Sequence, residues 1–142
     1  MQDRPTSIEL LNAAADFVER EIVPVTQGQK QFQSRVVANV MRIVAREIEI
    51  GEPLLRAEVD ALATLLSEKK PHLHTSSDVL DAARKFNEQL SAKIRAGDAD
   101  HGDFRDQVFK VTRQIVEDKL KISNPRYLDA DLKMRAKNSK SC

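Results

Sequence analysis

A chain of 142 residues is close to the commonest single-domain size and can bury one continuous core without disulfide or metal staples. Its 41% apolar and 32% charged residues exclude the disordered class, and no run approaches the ~18 uninterrupted apolar residues that a membrane helix needs. With 23 Lys+Arg against 22 Asp+Glu the net charge is +1, which leaves no overall field to draw the protein to nucleic acid or anionic lipid.

Only 4 Gly and 5 Pro punctuate the chain and aromatics reach 4%, so helix formers dominate and helix is expected over sheet. Five stretches carry helical periodicity. The first, from about Thr6 to Ile22, opens on a Thr6/Glu9 capping box and carries Leu11, Ala14, Ala15, Val18 and Ile22 as its apolar stripe, with Pro24 as the stop. The second, from about Lys30 to Ile50, has apolar positions over more than half its circumference. That places it at the centre of a bundle, with Gly51 as a left-handed C-terminal cap.

The third stretch starts near Pro53 and carries Leu55, Val59, Leu62, Leu65 and Leu66 as far as Lys69, Lys70 and the terminating Pro71. The fourth runs from about Asp78 to Ala96, with Leu80, Ala83, Phe86, Leu90 and Ile94 inward and Gly97 as terminator. The fifth takes Asp103 as N-cap and runs through Val108 and Ile115 until Asn124-Pro125 breaks it. Short connections between these stretches imply an all-α, antiparallel helical bundle of about five helices over residues 1–128. A flexible polar tail over 129–142 would be ordered only by a partner.

Little in the sequence carries chemistry. His72, His74 and His101 lack metal-ligand spacing, and the Asp98, Asp100, Asp103 run lacks the closing glutamate of a calcium loop, so no metal and no cofactor is expected. No phosphate-cradling glycine loop and no Ser/His or Cys/His nucleophile pair is found, so no catalytic residue can be assigned and the chain reads as non-enzymatic. The single Cys142 cannot form an internal disulfide, and the N-terminus has no apolar leader. A soluble, cytoplasmic protein is expected.

Three features remain. Arg35, Asn39, Arg42 and Arg46 share one narrow stripe of the second helix, which could hold a phosphate or carboxylate such as that of a CoA-type ligand; the plainer alternative is pairing with acids on helices one and three. On the other side, Glu47 projects into the apolar arc of Phe32, Val36, Val40, Ile43, Val44 and Ile50. Lys119 is similarly embedded in the fifth helix, so a buried Glu47–Lys119 pair is expected, with Arg126 as a rival for Glu47. The NPRYL segment should fold back on the bundle end through Tyr127 and Leu128, with Arg126 and Tyr127 as candidate ligand or partner contacts.

The segments QDRPTSIELL, RVVANVMRIVAREIEIG and EDKLKISNPRYL resemble a small bacterial all-helical domain family of unknown function, over about residues 2–128. Members of that family are encoded near aminoglycoside-phosphotransferase-like kinases and acyl-CoA dehydrogenases. The resemblance therefore implies an accessory role in acyl-CoA or related catabolism with one of these as protein partner, and it supplies no catalytic residues. Homodimerisation would be a further way to cover the broad apolar arc of the second helix.

Overall fold

The computed structural model describes residues 3–130. The chain is all-α, with five helices and, among the described residues, no strand. Helix α1 (Ser7–Phe17) continues as a π-helical turn over Val18–Ile22, and α2 (Gly28–Arg46) continues as another over Glu47–Gly51. Then follow α3 (Glu52–Leu65), α4 (Ser76–Arg95) and α5 (Gly102–Ser123), with a further helical stretch over 125–130. The chain divides into two compact units, Met1–Gly51 and Glu52–Cys142. The tail over 131–142 lies outside the described residues; 129 and 130 are helical.

In the first unit α1 and α2 pack on each other. The capping box at the start of α1 forms as its residues require: Glu9 N–H donates to Thr6 Oγ1 at 3.2 Å, and Thr6 N–H donates to Glu9 Oε2 at 2.7 Å. Among the described residues those this unit buries are small, namely Ala15, Ala38, Ala45 and Gly51, with Val23 beside them. Ala38, Arg42 and Ala45 follow at intervals of four and three and so share one stripe, which the pairing of Arg42 with Asp16 directs toward α1. Alanines let two helix backbones approach closely, so the bulky residues of α2 are left on its other side. Phe32, Val36, Val37, Val40, Val44 and Ile48 are all exposed, Phe32 by 66%. The expectation of a central α2 is thereby corrected. Gly51 is also not a left-handed cap: the positive-φ glycines are Gly28, Gly97 and Gly102, and Gly51 instead closes a π-helical turn.

The second unit holds the larger apolar core, in which Val59, Leu62, Val79, Phe86, Leu90 and Ile115 from α3, α4 and α5 are buried together. Helix α3 ends earlier than the Pro71 boundary suggests. Ser67 adopts φ 55°, Ser67 N–H donates to Thr64 O and Glu68 N–H reaches back to Ala63 O at 2.9 Å, a Schellman ending with serine in the usual glycine place. Gly97, at φ 90°, ends α4 in the same manner, with Asp98 N–H donating to Lys93 O. Helix α5 begins at Gly102 with His101 at its N-cap, so Asp103 lies inside the first turn and is not the cap. At the other end Asn124 terminates α5 as expected: its N–H donates to Leu120 O, and Tyr127 N–H donates to Asn124 O at 3.1 Å.

Helix α4 opens two residues before Asp78, on a second capping box in which Thr75 Oγ1 accepts from Asp78 N–H and Asp78 Oδ2 accepts from Thr75 N–H and His74 N–H. The backbone N–H groups of Thr75 and then His74, with the Thr75 hydroxyl, hold the Asp78 carboxyl below the ordinary aspartate range. Beside it Glu52 is likewise held low, first by the Ser76 hydroxyl at 2.6 Å and then by Arg56. A depressed folded-state pKa contributes stability that is present above the unfolded value and is lost as pH falls through the folded one, here below about pH 4. Asp78→Asn should therefore flatten the fall of the thermal midpoint between about pH 4 and pH 2 relative to the parent. An unchanged slope would count against the Asp78 cap as its source.

Candidate interaction surface

The polar stripe and the apolar arc of α2 are differently occupied. Arg42 Nη2 lies 2.6 Å from Glu19 Oε2 and 2.8 Å from Asp16 Oδ1, so one guanidinium answers a carboxylate on α1 and another on the π-helical turn after it. Hydrogen bonding to Glu19 comes first and that to Asp16 adds to it; together they outweigh partial burial and raise the Arg42 pKa above its ordinary value. Arg35 and Asn39 are exposed, and Arg46 is half-buried with its own interaction. Of the four stripe residues, then, Arg42 is spent on binding α1 to α2.

The apolar arc is the larger feature. Phe32, Val36, Val40, Val44 and Ile48 succeed one another at intervals of four and form a continuous ridge, and Val37 lies along its flank. Single exposed apolar residues are ordinary, whereas a contiguous row of this kind marks an interaction surface. Glu47 sits on this arc and is exposed, which corrects its expected burial. Its carboxylate folds back over Gly51, where an added Cβ would lie 2.6 Å from Glu47 Oε1.

Lys119 is exposed, which corrects its expected embedding, and the buried carboxylate it pairs with is Glu58 and not Glu47. Lys119 Nζ lies 3.4 Å from Glu58 Oε2, with the Glu58 side chain 7% exposed and that of Lys119 63% exposed. Asn87 Nδ2 completes the group by donating to Glu58 Oε1 at 2.8 Å and to Ala83 O at 2.9 Å. The three side chains join α3, α4 and α5. Sequence reasoning passed over Glu58, although it stands in the apolar row Leu55, Glu58, Leu62, Leu65 at intervals of three, four and three, the same signal that drew attention to Glu47. Pairing of the stripe with acids of the first helical stretch was the plainer of the two sequence readings, and Arg42 follows it, although no local pattern singles out Asp16 and Glu19.

At the NPRYL segment Leu128 is buried while Tyr127 is exposed, and Arg126 is exposed and, among the described residues, pairs with neither Glu47 nor another carboxylate. Tyr127 and Leu128 line a shallow groove of about 370 Å³ with Phe109, Val116 and Leu120 of α5. Among the described residues no cluster of three or more His, Cys, Asp or Glu side chains could hold a metal ion, and no helix is long and apolar enough to cross a membrane.

Among the described residues these features define an all-helical protein with an exposed apolar ridge on α2 and an ionic group that joins α3, α4 and α5. A family model described as a domain of unknown function (DUF6285) matches residues 24–127, from just before α2 to the helical stretch that follows α5, and the chain belongs to that family. No curated protein and no solved structure matches the chain.

Proposed function

We propose that this is a non-enzymatic accessory protein that docks a protein partner on the exposed arc of α2. The observation that carries this reading is the ridge Phe32, Val36, Val40, Val44 and Ile48, five large apolar residues exposed in succession along α2 and the π-helical turn after it. A helix presenting anchors at such intervals is suited to a matching apolar groove or helix on the partner. In this reading the partner is an aminoglycoside-phosphotransferase-like kinase or an acyl-CoA dehydrogenase in acyl-CoA or related catabolism. In this reading the protein works in the bacterial cytoplasm, without nucleic acid, and a homodimer formed through the same arc would compete with the partner for it. The alternative, a phosphate or carboxylate ligand such as a CoA-type molecule held by Arg35, Arg42 and Arg46, has less support because two carboxylates already answer Arg42.

The test is co-purification of the tagged protein with the two enzymes, in the parent and in a Val36→Asp/Val40→Asp variant whose helical content is checked by circular dichroism. Burying the exposed halves of two valines is worth about 2 kcal/mol, so the variant should bind at least about 30-fold more weakly. A parent protein that retains neither enzyme would sink the proposal.

A further inference from the structure

A groove of about 570 Å³ runs between α3 and α5, well within the usual size of small-ligand sites. Its walls are two helix faces. Ala61, Thr64 and Leu65 are one turn of α3, and Gln107, Lys110, Val111 and Gln114 follow at intervals of three, one and three on α5. Leu65 and Val111 belong to or pack on the core of the second unit, so the floor is fixed and apolar.

The polar groups at the rim are unequally engaged. Gln114 Nε2 donates to Asp118, and the Thr64 hydroxyl donates to Asp60 O. Among the described residues Lys110 has no carboxylate within ion-pair distance, a state it shares with Lys30, Lys69 and Lys85, whereas Lys70, Lys93, Lys119 and Lys121 each have one; of the four unpaired lysines Lys110 is the one that lines this groove. Asp106, one turn before Lys110, is not among its ion-pair partners, and no acidic residue lines the groove. An unanswered ammonium beside an apolar trough is complementary to an anion carrying an alkyl chain, and unsuited to a cation or a sugar. From Gln107 to Gln114 the trough follows two turns of α5, about 10 Å, which suits a chain of medium length.

We propose that this groove binds a medium-chain aliphatic carboxylate, the chain lying against Ala61, Leu65 and Val111 and the carboxylate on Lys110. The site lies wholly within the second unit and stands independently of docking on α2.

Octanoate, octanol and acetate, titrated into the full chain and followed by amide chemical shifts in NMR, test it. Octanoate should perturb residues 61–65 and 107–114 and bind about tenfold tighter than octanol, the value of one charge-assisted contact, with acetate weaker still. Lys110→Met, a surface change that keeps the fold, should bring octanoate to within about twofold of octanol. Ala61→Phe should weaken both by filling the trough. Absence of shifts at these residues overturns the proposal, as does equal binding of octanoate and octanol to the parent, or a preference for octanoate that survives Lys110→Met. Acetate binding as well as octanoate would equally overturn it, since the apolar walls would then be idle.

Discussion

Leu62→Ala should lower the free energy of unfolding by about 3 kcal/mol, within the range of about 2 to 5 for a buried leucine cut back to alanine. Leu62 is 0% exposed and is the largest of the fully buried side chains, enclosed by the apolar residues of α3, α4 and α5. Truncation removes the transfer free energy of three carbons and leaves a void that close-packed neighbours can only partly close. Urea unfolding followed at the helical signal measures it. A change under about 1 kcal/mol would mean that the three helices are not packed together at this point.

The second large effect concerns the ionic group. Lys119→Met should cost about 2 kcal/mol despite the exposure of Lys119, because it strands the Glu58 carboxylate in an apolar setting with only the Asn87 amide as partner. Glu58→Leu should cost less: it removes the buried charge, lets Lys119 turn to water, and leaves the Asn87 amide still donating to Ala83 O. In the double variant most of the loss from Lys119→Met should be recovered, giving a coupling of about 1 to 2 kcal/mol in a double-mutant cycle. Additive losses would show that the pair is not coupled.

Much of the architecture was legible because the helices obey local rules. The Thr6/Glu9 box, the Gly97 ending and the Asn124-Pro125 break are each written within four residues of where they act. Boundaries set by less usual residues were not. Ser67 takes a left-handed conformation that glycine normally supplies, and the Thr75/Asp78 box lies in a polar stretch that reads as loop. The position of α2 was misjudged for a different reason. An apolar arc records which residues would favour burial, and says nothing of whether a neighbour is present; here α1 takes the alanine stripe and the valines stay outside. Likewise the apolar neighbours of Lys119 in the sequence suggested a buried ion pair, yet Lys119 is exposed and its acidic partner, Glu58 of α3, is a fact of tertiary structure that no local pattern names.

The methyl groups between α1 and α2 have a mechanical consequence. Alanine faces lack the deep ridges that lock larger side chains, so sliding one helix along the other by a turn would forfeit little dispersion energy. The ionic contacts from Arg42 to Asp16 and Glu19, together with the hydrogen bond from Gln31 Nε2 to Val23 O, favour one alignment over the next and act as pins through an otherwise smooth joint.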